Sequence, residues 1–464
     1  MRYRIQILAA FIFNALVFSL NGYSRQQPNI IFIMADDLGY GDLGCYGQQL
    51  FTTPNIDALA AGGIKFTNFY SGSTVCAPSR EALLTGMHTG HTFIRGNFLT
   101  ERREDPPMPG AKKTIAEYMK DGGYQTGLIG KWGLGGEKHG PEKQGFDYSY
   151  GYLDQIQAHN YYPPVLYEIG KKFRLIKNAD GQKNVFSHDL FAEKTLEFIK
   201  NRNTKKPFFL YLPYTLPHGG YTLPPRAPYN TKNWSRVQQT YATMIALLDK
   251  DVGRIVKLLK EQGLSENTLI IFTSDNGANP GFAKFFKSNG AFRGAKRDLY
   301  DGGIRVPLIA YWPGKINKGQ QSQHITAAWD VLPTLCEVAG IQFASTSDGI
   351  SFLPTLTGDR QPVHPYLYWE YYDYNYNWNK PDNKLPRNWL ESAAIRMGKW
   401  KAVKKELLKN ENAAVELYDL ESDPAEKNDI AGSNPDVLKE VNKIFLAASI
   451  ANAPYFPYQK TALK

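Results

Sequence analysis

The sequence predicts an α/β protein in which helices sandwich a large, mostly parallel sheet, followed by a smaller antiparallel sheet with one helix. Three observations support this fold class. Apolar runs of strand length alternate with helical patterns through most of the chain, which is the order expected of a parallel sheet. Several runs are apolar at almost every position, as strands buried on both faces are. Beyond about residue 360, short strands follow one another instead.

Residues 25–360 are predicted to form the larger domain. Its first strand is the isoleucine-rich run NIIFIMA at 29–35, which is continuous and ends in a turn. Further strands are predicted at 124–130, 207–212, 268–274 and 306–312. Helices are predicted at 53–62, 114–122, 187–201 and 237–262.

Residues 361–464 are predicted to form a C-terminal α+β subdomain. Short strands separated by turn residues are predicted at 366–369, 393–397, 400–403 and 416–420. One closing helix is predicted at 435–448. This order favours a small antiparallel sheet with a helix packed on it.

Residues 1–24 have the features of a signal peptide. Arg2 and Arg4 precede an apolar run at 5–20, and small or polar residues follow at 21–24. A membrane anchor is the alternative, but the run is short for a full span and no stop-transfer charge cluster follows it at once. We therefore expect an exported protein, in the periplasm, at the cell surface or secreted, without stable membrane insertion.

Composition and charge exclude several classes of protein. With 42% hydrophobic and 21% charged residues, the chain is too apolar for a disordered protein. Cys45, Cys76 and Cys336 are too few for a disulfide framework and form no C-x-x-C pair. The net charge of +10 suits an anionic partner, but the basic residues are scattered along the chain. We expect no nucleic acid partner, because no recognised binding motif accompanies that charge.

Oxygen-bearing side chains follow two of the strongest predicted strands. Asp36 and Asp37 come directly after the first strand, and Asp275 and Asn276 follow the strand at 268–274. Ligands of open α/β sheets bind beyond the carboxyl ends of the strands. Turn formation is the alternative, because Asp and Asn favour Asx-turns. Together the four side chains supply three carboxylates and an amide oxygen, which suit Ca²⁺ or Mg²⁺ rather than Zn²⁺.

The string Cys76-Ala77-Pro78-Ser79-Arg80 lies at the start of another predicted helix. Pro78 stands where a helix begins, so Cys76 lies close to amide donors that favour an anion. A small buried thiol is the alternative reading of a lone cysteine.

This string resembles the signature of the formylglycine-dependent (type I) sulfatases of the alkaline-phosphatase-like superfamily. That signature is C-x-P-S-R followed by a short helix ending in T-G, here Thr85-Gly86. The likeness extends from about residue 28 to about residue 430. It includes, in order, Asp36-Asp37, Gly130-Lys131-Trp132, Pro217-His218, Ser274-Asp275-Asn276-Gly277, Arg293-Gly294-Ala295-Lys296 and Leu417-Tyr418-Asp419-Leu420. The resemblance implies that residues 25–360 are a catalytic domain that hydrolyses sulfate esters, most often on a carbohydrate.

The resemblance also implies a nucleophile and a cation. A formylglycine-generating maturase would oxidise Cys76 to formylglycine (3-oxoalanine), whose hydrated aldehyde attacks the sulfate. One Ca²⁺ per chain would polarise the sulfate. Its ligands would be an oxygen of the modified Cys76 and the side chains of Asp36, Asp37, Asp275 and Asn276.

Four further residues match catalytic positions of the family. Arg80 and Lys131 match residues that hold the formylglycine and the sulfate. His218 and Lys296 match residues placed on the sulfate and the leaving oxygen. Because a sugar alkoxide is a poor leaving group, a proton donor is needed, and His218 is the first choice with Lys296 second.

One motif departs from the family pattern. Many members carry a histidine two residues after the lysine of G-K-W, where this chain has Gly133. In those relatives the histidine contacts the formylglycine, so part of the usual hydrogen-bond set is missing or replaced. The candidate substitutes are His88, His91, His139 and His159. A surface or packing role is the alternative for each of them.

Other residues are candidates for substrate contacts. His91 and Arg95 follow the signature helix closely, and His159 lies in a loop-like stretch where relatives place such contacts. Arg293 belongs to the motif that carries Lys296. The aromatic-rich stretch 366–378 suits stacking on a sugar ring, although a strand packed on the main domain is the alternative. Its candidates are Trp369, Tyr372, Tyr374 and Trp378.

Two alternative functions stay open. A phosphodiesterase or phosphonate hydrolase of the same superfamily uses the same modified cysteine on phosphorus. A non-catalytic relative would bind sulfated glycans without hydrolysing them. Gly133 favours this second alternative slightly, whereas the intact Cys76, Arg80 and metal ligands oppose it. The sequence leaves the sugar and the oligomeric state open.

Overall fold

Short and long strands form three sheets in the computed structural model, which describes residues 27–97, 105–108, 112–224, 228–343, 346–373 and 390–450. In chain order the strands are β1 (Asn29–Ala35), β2 (Ile64–Phe66), β3 (Phe69–Tyr70), β4 (Gln125–Lys131), β5 (Tyr148–Tyr152), β6 (Val165–Glu168), β7 (Lys171–Arg174), β8 (Phe208–Pro213), β9 (Thr268–Ser274), β10 (Leu308–Tyr311), β11 (Gln320–Ser322), β12 (Thr326–Ala327), β13 (Leu367–Tyr372), β14 (Leu390–Met397), β15 (Trp400–Lys404) and β16 (Glu416–Asp419).

The α-helices of the described residues lie between these strands and after them. They are Pro54–Gly62, Cys76–Thr85, Ile115–Asp121, Ser187–Lys200, Arg236–Glu261, Pro280–Ala283, Asp301–Ile304, Val331–Ala339, Leu353–Thr357 and Pro435–Ala447. The helices predicted at 53–62, 114–122, 187–201 and 237–262 agree with the structure to within one residue at each end, whereas the helix predicted to begin at Pro78 begins two residues earlier, at Cys76.

The largest sheet has ten strands in the order β11-β2-β10-β9-β1-β8-β4-β5-β6-β7. Its central five strands, β9 to β5, are parallel to one another. Antiparallel partners flank this block, with β10 on β9 and β6 on β5. The predicted mostly parallel sheet is therefore confirmed. The sequence patterns missed short strands such as β7, because all four of its residues are exposed and no apolar run marks it.

Helices cover both faces of the sheet. Successive side chains of β1 point to opposite sides, so β1 contributes to the core on each face. Ile31 and Ile33 face a core that includes the long helix Arg236–Glu261. Ile30 and Phe32 face a second core that includes the helix Val331–Ala339. With both faces of β1 buried, its carboxyl end is the part left to carry polar groups.

A separate antiparallel sheet, in the order β13-β14-β15-β16, follows near the C-terminus. The helix Pro435–Ala447 packs on one face through Val441 and Ile444. The other face contributes Trp369 to a core shared with Tyr70 and Trp329, which come earlier in the chain. The predicted C-terminal sheet with a closing helix is confirmed, and its buried face lies against the segment that leads to Cys76.

Within the described residues, every helix is too short or too polar to span a bilayer. Residues 1–24, predicted to be a signal peptide, lie outside the described residues.

Candidate active site

The carboxyl ends of four neighbouring parallel strands bring the predicted residues together. Asp36 and Asp37 follow β1, and Asp275 and Asn276 follow β9. Lys131 is the last residue of β4. The spatial order β9-β1-β8-β4 places these ends side by side, with the loop after β8 between them, at the edge where open α/β sheets bind ligands.

Cys76 is the first residue of the helix Cys76–Thr85 and is fully buried. Its thiol donates to Oδ1 of Asp36 at 3.4 Å and accepts from the ammonium of Lys296 at 3.4 Å. Burial and then the negative charge of Asp36 raise the pKa of Cys76 to about 12. The helix therefore presents a neutral, enclosed side chain to the charged groups at the strand ends.

Arg80 lies one turn further along the same helix and joins the two halves of the carboxylate set. Its Nη2 donates to Asp36 at 3.1 Å and to Asp275 at 2.9 Å, and its Nη1 donates to the carbonyl of Lys131 at 3.0 Å. The guanidinium is 1% exposed, so these contacts are shielded from solvent. Arg80 thereby fixes the position of the helix relative to β1, β4 and β9.

Two lysines complete the charge pattern. Nζ of Lys131 donates to Oδ2 of Asp36 at 2.7 Å, and Nζ of Lys296 donates to Oδ1 of Asp37 at 2.5 Å. Burial disfavours the charged form of Lys296, but Asp37 and its neighbours outweigh burial and raise its pKa. Both ammonium groups therefore stay charged in the site.

The pKa values of Asp36 and Asp275 shift in opposite directions in these surroundings, and the pKa of Asp37 is lowered like that of Asp36. Burial opposes ionisation of Asp36, but Lys131, His218 and Arg80 outweigh it and hold its pKa well below the usual value. Burial and then the charge of Asp36 raise the pKa of Asp275 to about 7. The site thus concentrates negative charge on the carboxylates that follow β1.

The side-chain oxygen atoms at the strand ends are suitable ligands for a hard divalent cation. Ligand atoms of Asp36, Asp37, Cys76 and His218 lie within 4.8 Å of one another. Oδ1 of the buried Asn276 has no hydrogen-bond partner among the described residues, while its Nδ2 donates to Asp37 at 2.8 Å. A buried acceptor left without a donor is costly unless a cation or water meets it. Carboxylate and amide oxygens are the ligands that Ca²⁺ and Mg²⁺ prefer.

His218 lies in the loop after β8 and is 4% exposed. Its Nε2 is 3.8 Å from Oδ2 of Asp37. Burial lowers the pKa of His218 to about 4, although Asp36 and Asp37 oppose that shift. Its ring contacts the ring of His159 edge to face, with a centroid separation of 4.4 Å. His218 therefore lies between the carboxylates that follow β1 and the loop that carries His159.

Gln155 occupies the space that a side chain at position 133 would need. Gly133 has a φ of +70°, and a Cβ there would lie 2.6 Å from Nε2 of Gln155 and 3.6 Å from Cε of Lys131. Nε2 of Gln155 donates to the carbonyl of Gly133 at 3.4 Å, and its backbone N–H donates to Asp105 at 2.7 Å. Sequence reasoning missed Gln155, because a glutamine in a loop carries no local signal of its position in space.

The four histidines considered as substitutes have different surroundings. His159 alone among them contacts His218. His139 is exposed, and its carbonyl accepts from the indole of Trp132. His88 and His91 stack on each other and face Asp348.

The cluster of His88, His91 and Asp348 is better explained by hydrogen bonds than by a metal. The backbone N–H of Gly90 donates to Nδ1 of His88, so the proton of that neutral ring sits on Nε2, 3.7 Å from Asp348. To bind a metal through Nε2, the neutral ring of His88 would have to carry its proton on Nδ1 instead. Nδ1 of His91 donates to Asp348 at 2.9 Å.

Several candidate substrate contacts are engaged in the interface with the C-terminal sheet. Arg95 is buried against Glu370, and Nη1 of Arg293 donates to the hydroxyl of Tyr418 and to the carbonyl of Glu426. Trp369 is fully buried, and its indole donates to the carbonyl of Ser71. Tyr372 lies at the end of β13, with its ring 5.8 Å from the guanidinium carbon of Arg95. Tyr374 and Trp378 lie outside the described residues.

These features define a class of protein. An enclosed Cys76 among three carboxylic and three cationic side chains, at the carboxyl ends of parallel strands, suits the hydrolysis of an anionic ester. The chain belongs to the sulfatase family, which matches residues 28–341. Residues 290–447 match the C-terminal domain of N-sulphoglucosamine sulphohydrolase.

Named relatives agree with this family. N-acetylgalactosamine-6-sulfatase of Homo sapiens is 33% identical over 377 residues, which cover 74% of this chain and 68% of that protein. Arylsulfatase A of Homo sapiens is 32% identical over 472 residues, which cover 91% and 87%. The crystal structure of Ps i-CgsB in complex with k-i-k-neocarrahexaose has a TM-score of 0.78 and 31% identity, covering 94% of this chain and 96% of that one. The protein is therefore a sulfatase, a hydrolase of sulfate esters.

Proposed function

We propose that the protein is an exported sulfatase that removes sulfate from a carbohydrate, with formylglycine made from Cys76 as the nucleophile and one bound Ca²⁺. The observation that carries this proposal is the position of Cys76. Its sulfur is 3.4 Å from both Asp36 and Lys296, at the start of a helix and enclosed by the charged cluster. A group at that position can be reached by a maturase only before the chain folds around it.

The balance of charge supports an anionic substrate. Asp36, Asp37 and Asp275 face Arg80, Lys131 and Lys296, so the fully ionised cluster carries three charges of each sign. The four strand-end ligands and an oxygen of the modified Cys76 would hold Ca²⁺. When bound, the cation would withdraw electron density from the sulfate oxygens and leave the site with excess positive charge. That excess attracts a sulfate ester.

The protein's own residues supply the remaining functions. Lys131 and Lys296 each hold an ammonium group against a carboxylate that follows β1, where they bind the sulfate oxygens. Arg80 orients the helix that carries the nucleophile through its contacts with Asp36 and Asp275. His218 lies beside the same carboxylates and is the first candidate to give a proton to the leaving sugar oxygen, which requires its protonated form. Lys296, whose ammonium stays charged, is the second candidate.

A carbohydrate substrate is supported by two of the relatives. One is named N-acetylgalactosamine-6-sulfatase, and another was solved in complex with k-i-k-neocarrahexaose. The apolar run at 5–20 and the absence of a stop-transfer cluster support export. Both features agree with an enzyme that meets extracellular glycans.

Mass spectrometry of the tryptic peptide Phe66–Arg80 tests the nucleophile directly. Protein made in a maturase-competent host should show an aldehyde in place of the Cys76 thiol, and the Cys76→Ala variant should release no sulfate. A sulfated-sugar panel run beside phosphodiester and phosphonate substrates tests the reaction. An unmodified thiol, with a control sulfatase converted in the same cells, would overturn the nucleophile. Faster turnover of the phosphodiester or phosphonate substrates than of the sulfated sugars would favour a phosphohydrolase activity over the proposed carbohydrate sulfatase activity.

A further inference from the structure

A buried ion cluster connects the C-terminal sheet to the segment between β9 and β10. Lys401 lies in β15, and its side chain has no exposed surface. Its Nζ donates to Oδ1 of Asp301 at 2.8 Å and is 3.3 Å from Oε1 of Glu426. The backbone N–H of Asp301 donates to Oε2 of the same glutamate at 2.8 Å. Lys401 therefore holds Asp301 against the C-terminal sheet.

Asp301 has two further donors, which both lie on its other oxygen. Its Oδ2 accepts from the hydroxyl of Tyr70 at 3.1 Å and from Nη1 of Arg305 at 3.2 Å. Burial opposes ionisation of this carboxylate, but Lys401, Arg305 and Arg396 outweigh it and lower its pKa to about 2. We expect loss of Lys401 to displace Asp301, because the remaining donors pull on one side of a charged group.

The residue after Asp301 supports the turn that carries Lys296. The N–H of Gly302 donates to the carbonyl of Arg293 at 2.7 Å. A Cβ at Gly302 would lie 2.3 Å from the carbonyl oxygen of Gly294, so the two backbones are in direct contact. A displacement of Asp301 is therefore transmitted to the turn through the backbone.

Lys296 lies at the far end of this series of contacts. Its Nζ donates to Asp37 at 2.5 Å and is 3.4 Å from the sulfur of Cys76. A misplacement of about 1 Å, even one caused far from the chemistry, can lower a rate about a hundredfold. The C-terminal sheet is thus linked, through Asp301, to an ammonium group beside the nucleophile.

We propose that Lys401 is a positioning residue for sulfate ester hydrolysis, which holds Asp301 and thereby the turn that places Lys296 on the sulfate. This inference rests on the proposed function, because it uses Lys296 as a group that binds the sulfate oxygens. It gives the C-terminal sheet a part in the reaction, in addition to its packing on the rest of the protein.

A double-mutant cycle tests this role, with the sulfated sugar that the wild type hydrolyses fastest as the substrate. Lys401→Met removes the charge but keeps a long, unbranched side chain, and should lower kcat/KM about tenfold. Lys296→Ala should lower kcat/KM about a hundredfold, the effect of losing one donor to the reacting group. In the Lys296→Ala background, Lys401→Met should change kcat/KM by no more than about twofold, because the ammonium that it positions is gone.

The assay conditions and a matched variant separate positioning from stability. Excess Ca²⁺ is used, because the carbonyl of Gly303 accepts from the N–H of Gly277, beside the proposed ligand Asn276. Circular dichroism sets a temperature at which every variant is fully folded. Asp249→Asn changes another buried carboxylate, which accepts from Nδ2 of Asn55 at 2.7 Å, and should lower stability but not kcat/KM.

Losses from Lys401→Met and Lys296→Ala that multiply in the double variant would overturn the positioning role, as would a wild-type kcat/KM in Lys401→Met. If Lys401→Met does not fold, Asp301→Asn takes its place in the cycle with the same expected results, because it removes the charge that Lys401 holds. A wild-type protein that releases no sulfate from any sugar, or a Lys296→Ala variant as active as the wild type, would instead overturn the proposed function.

Discussion

The guanidinium of Arg95 forms a buried ion pair with the carboxylate of Glu370, with 2.8 Å between Nη1 and Oε2. Arg95 also donates to the carbonyls of Thr92 and Gly90, and Glu370 accepts from the hydroxyl of Tyr368. The pair joins the segment after the signature helix to the first strand of the C-terminal sheet. Arg95 therefore stabilises the interface between that segment and the C-terminal sheet, in addition to any contact with substrate.

Arg95→Ala should lower the free energy of unfolding by about 3–5 kcal/mol, because it leaves the carboxylate of Glu370 buried without its cationic partner. Denaturant unfolding measures this loss. The matched control is Lys120→Ala, which breaks the solvent-exposed pair with Asp147 and should cost less than about 1 kcal/mol. Similar losses in the two variants would contradict a structural role for Arg95.

Local sequence patterns encode some of the contacts at the site and not others. Asp36 and Asp275 were predictable because each directly follows an apolar strand, and parallel strands bring their carboxyl ends together. Lys131 was identified instead through the resemblance of Gly130-Lys131-Trp132 to the family motif. Glu370 was not, because its partner is 275 residues away in sequence and no local pattern encodes the pairing. The same holds for Gln155, whose position beside Lys131 depends on how two loops pack.

Gly133→Ala should destabilise the protein and reduce its activity, because the backbone is left-handed and the added Cβ meets Gln155 at 2.6 Å. The backbone alone should cost about 1–2 kcal/mol. Gly263→Ala is a matched control, since Gly263 has a φ of +67° and nothing lies within 4 Å of its Cβ position. Unfolding measurements should show a larger loss for Gly133→Ala.

The difference in unfolding free energy between Gly133→Ala and Gly263→Ala measures the cost of the contact with Gln155. In a Gln155→Ala background, Gly133→Ala should cost no more than Gly263→Ala, because the obstructing amide is gone. An unchanged excess cost in that background would mean that Gln155 does not fill the space.

His88 should make the protein less stable as the pH falls below neutrality. Burial lowers the pKa of His88 to about 4, against the opposing charge of Asp348 and with His91, Arg95 and His364 also facing it. The unfolded chain, with an ordinary histidine pKa near 6.5, then binds more protons than the folded chain. Stability is therefore lost progressively as the pH falls from about 6.5 to about 4, by up to about 3 kcal/mol.

His88→Gln should flatten this part of the stability curve, because the substituted side chain does not titrate. Urea unfolding at a series of pH values measures the change. His139→Gln, which removes an exposed histidine, should leave the curve as it is in the wild type. A His88→Gln curve that still falls as steeply between pH 6.5 and 4 would assign the loss to other groups.

Removal of divalent cations should lower both stability and sulfate release, and Ca²⁺ should restore them. A cation that binds only the folded state raises the free energy of unfolding by about 1.4 kcal/mol for each tenfold increase above its Kd. Unfolding in chelator-buffered Ca²⁺ gives this dependence. Asn276→Ala should shift the Ca²⁺ dependence of the free energy of unfolding to higher Ca²⁺ concentration, because Oδ1 of Asn276, which has no partner among the described residues, is one of the proposed ligands. Asn68→Ala, at an exposed hydrogen bond, should not shift it. A stability that is independent of Ca²⁺ in both variants and in the wild type would contradict the cation site.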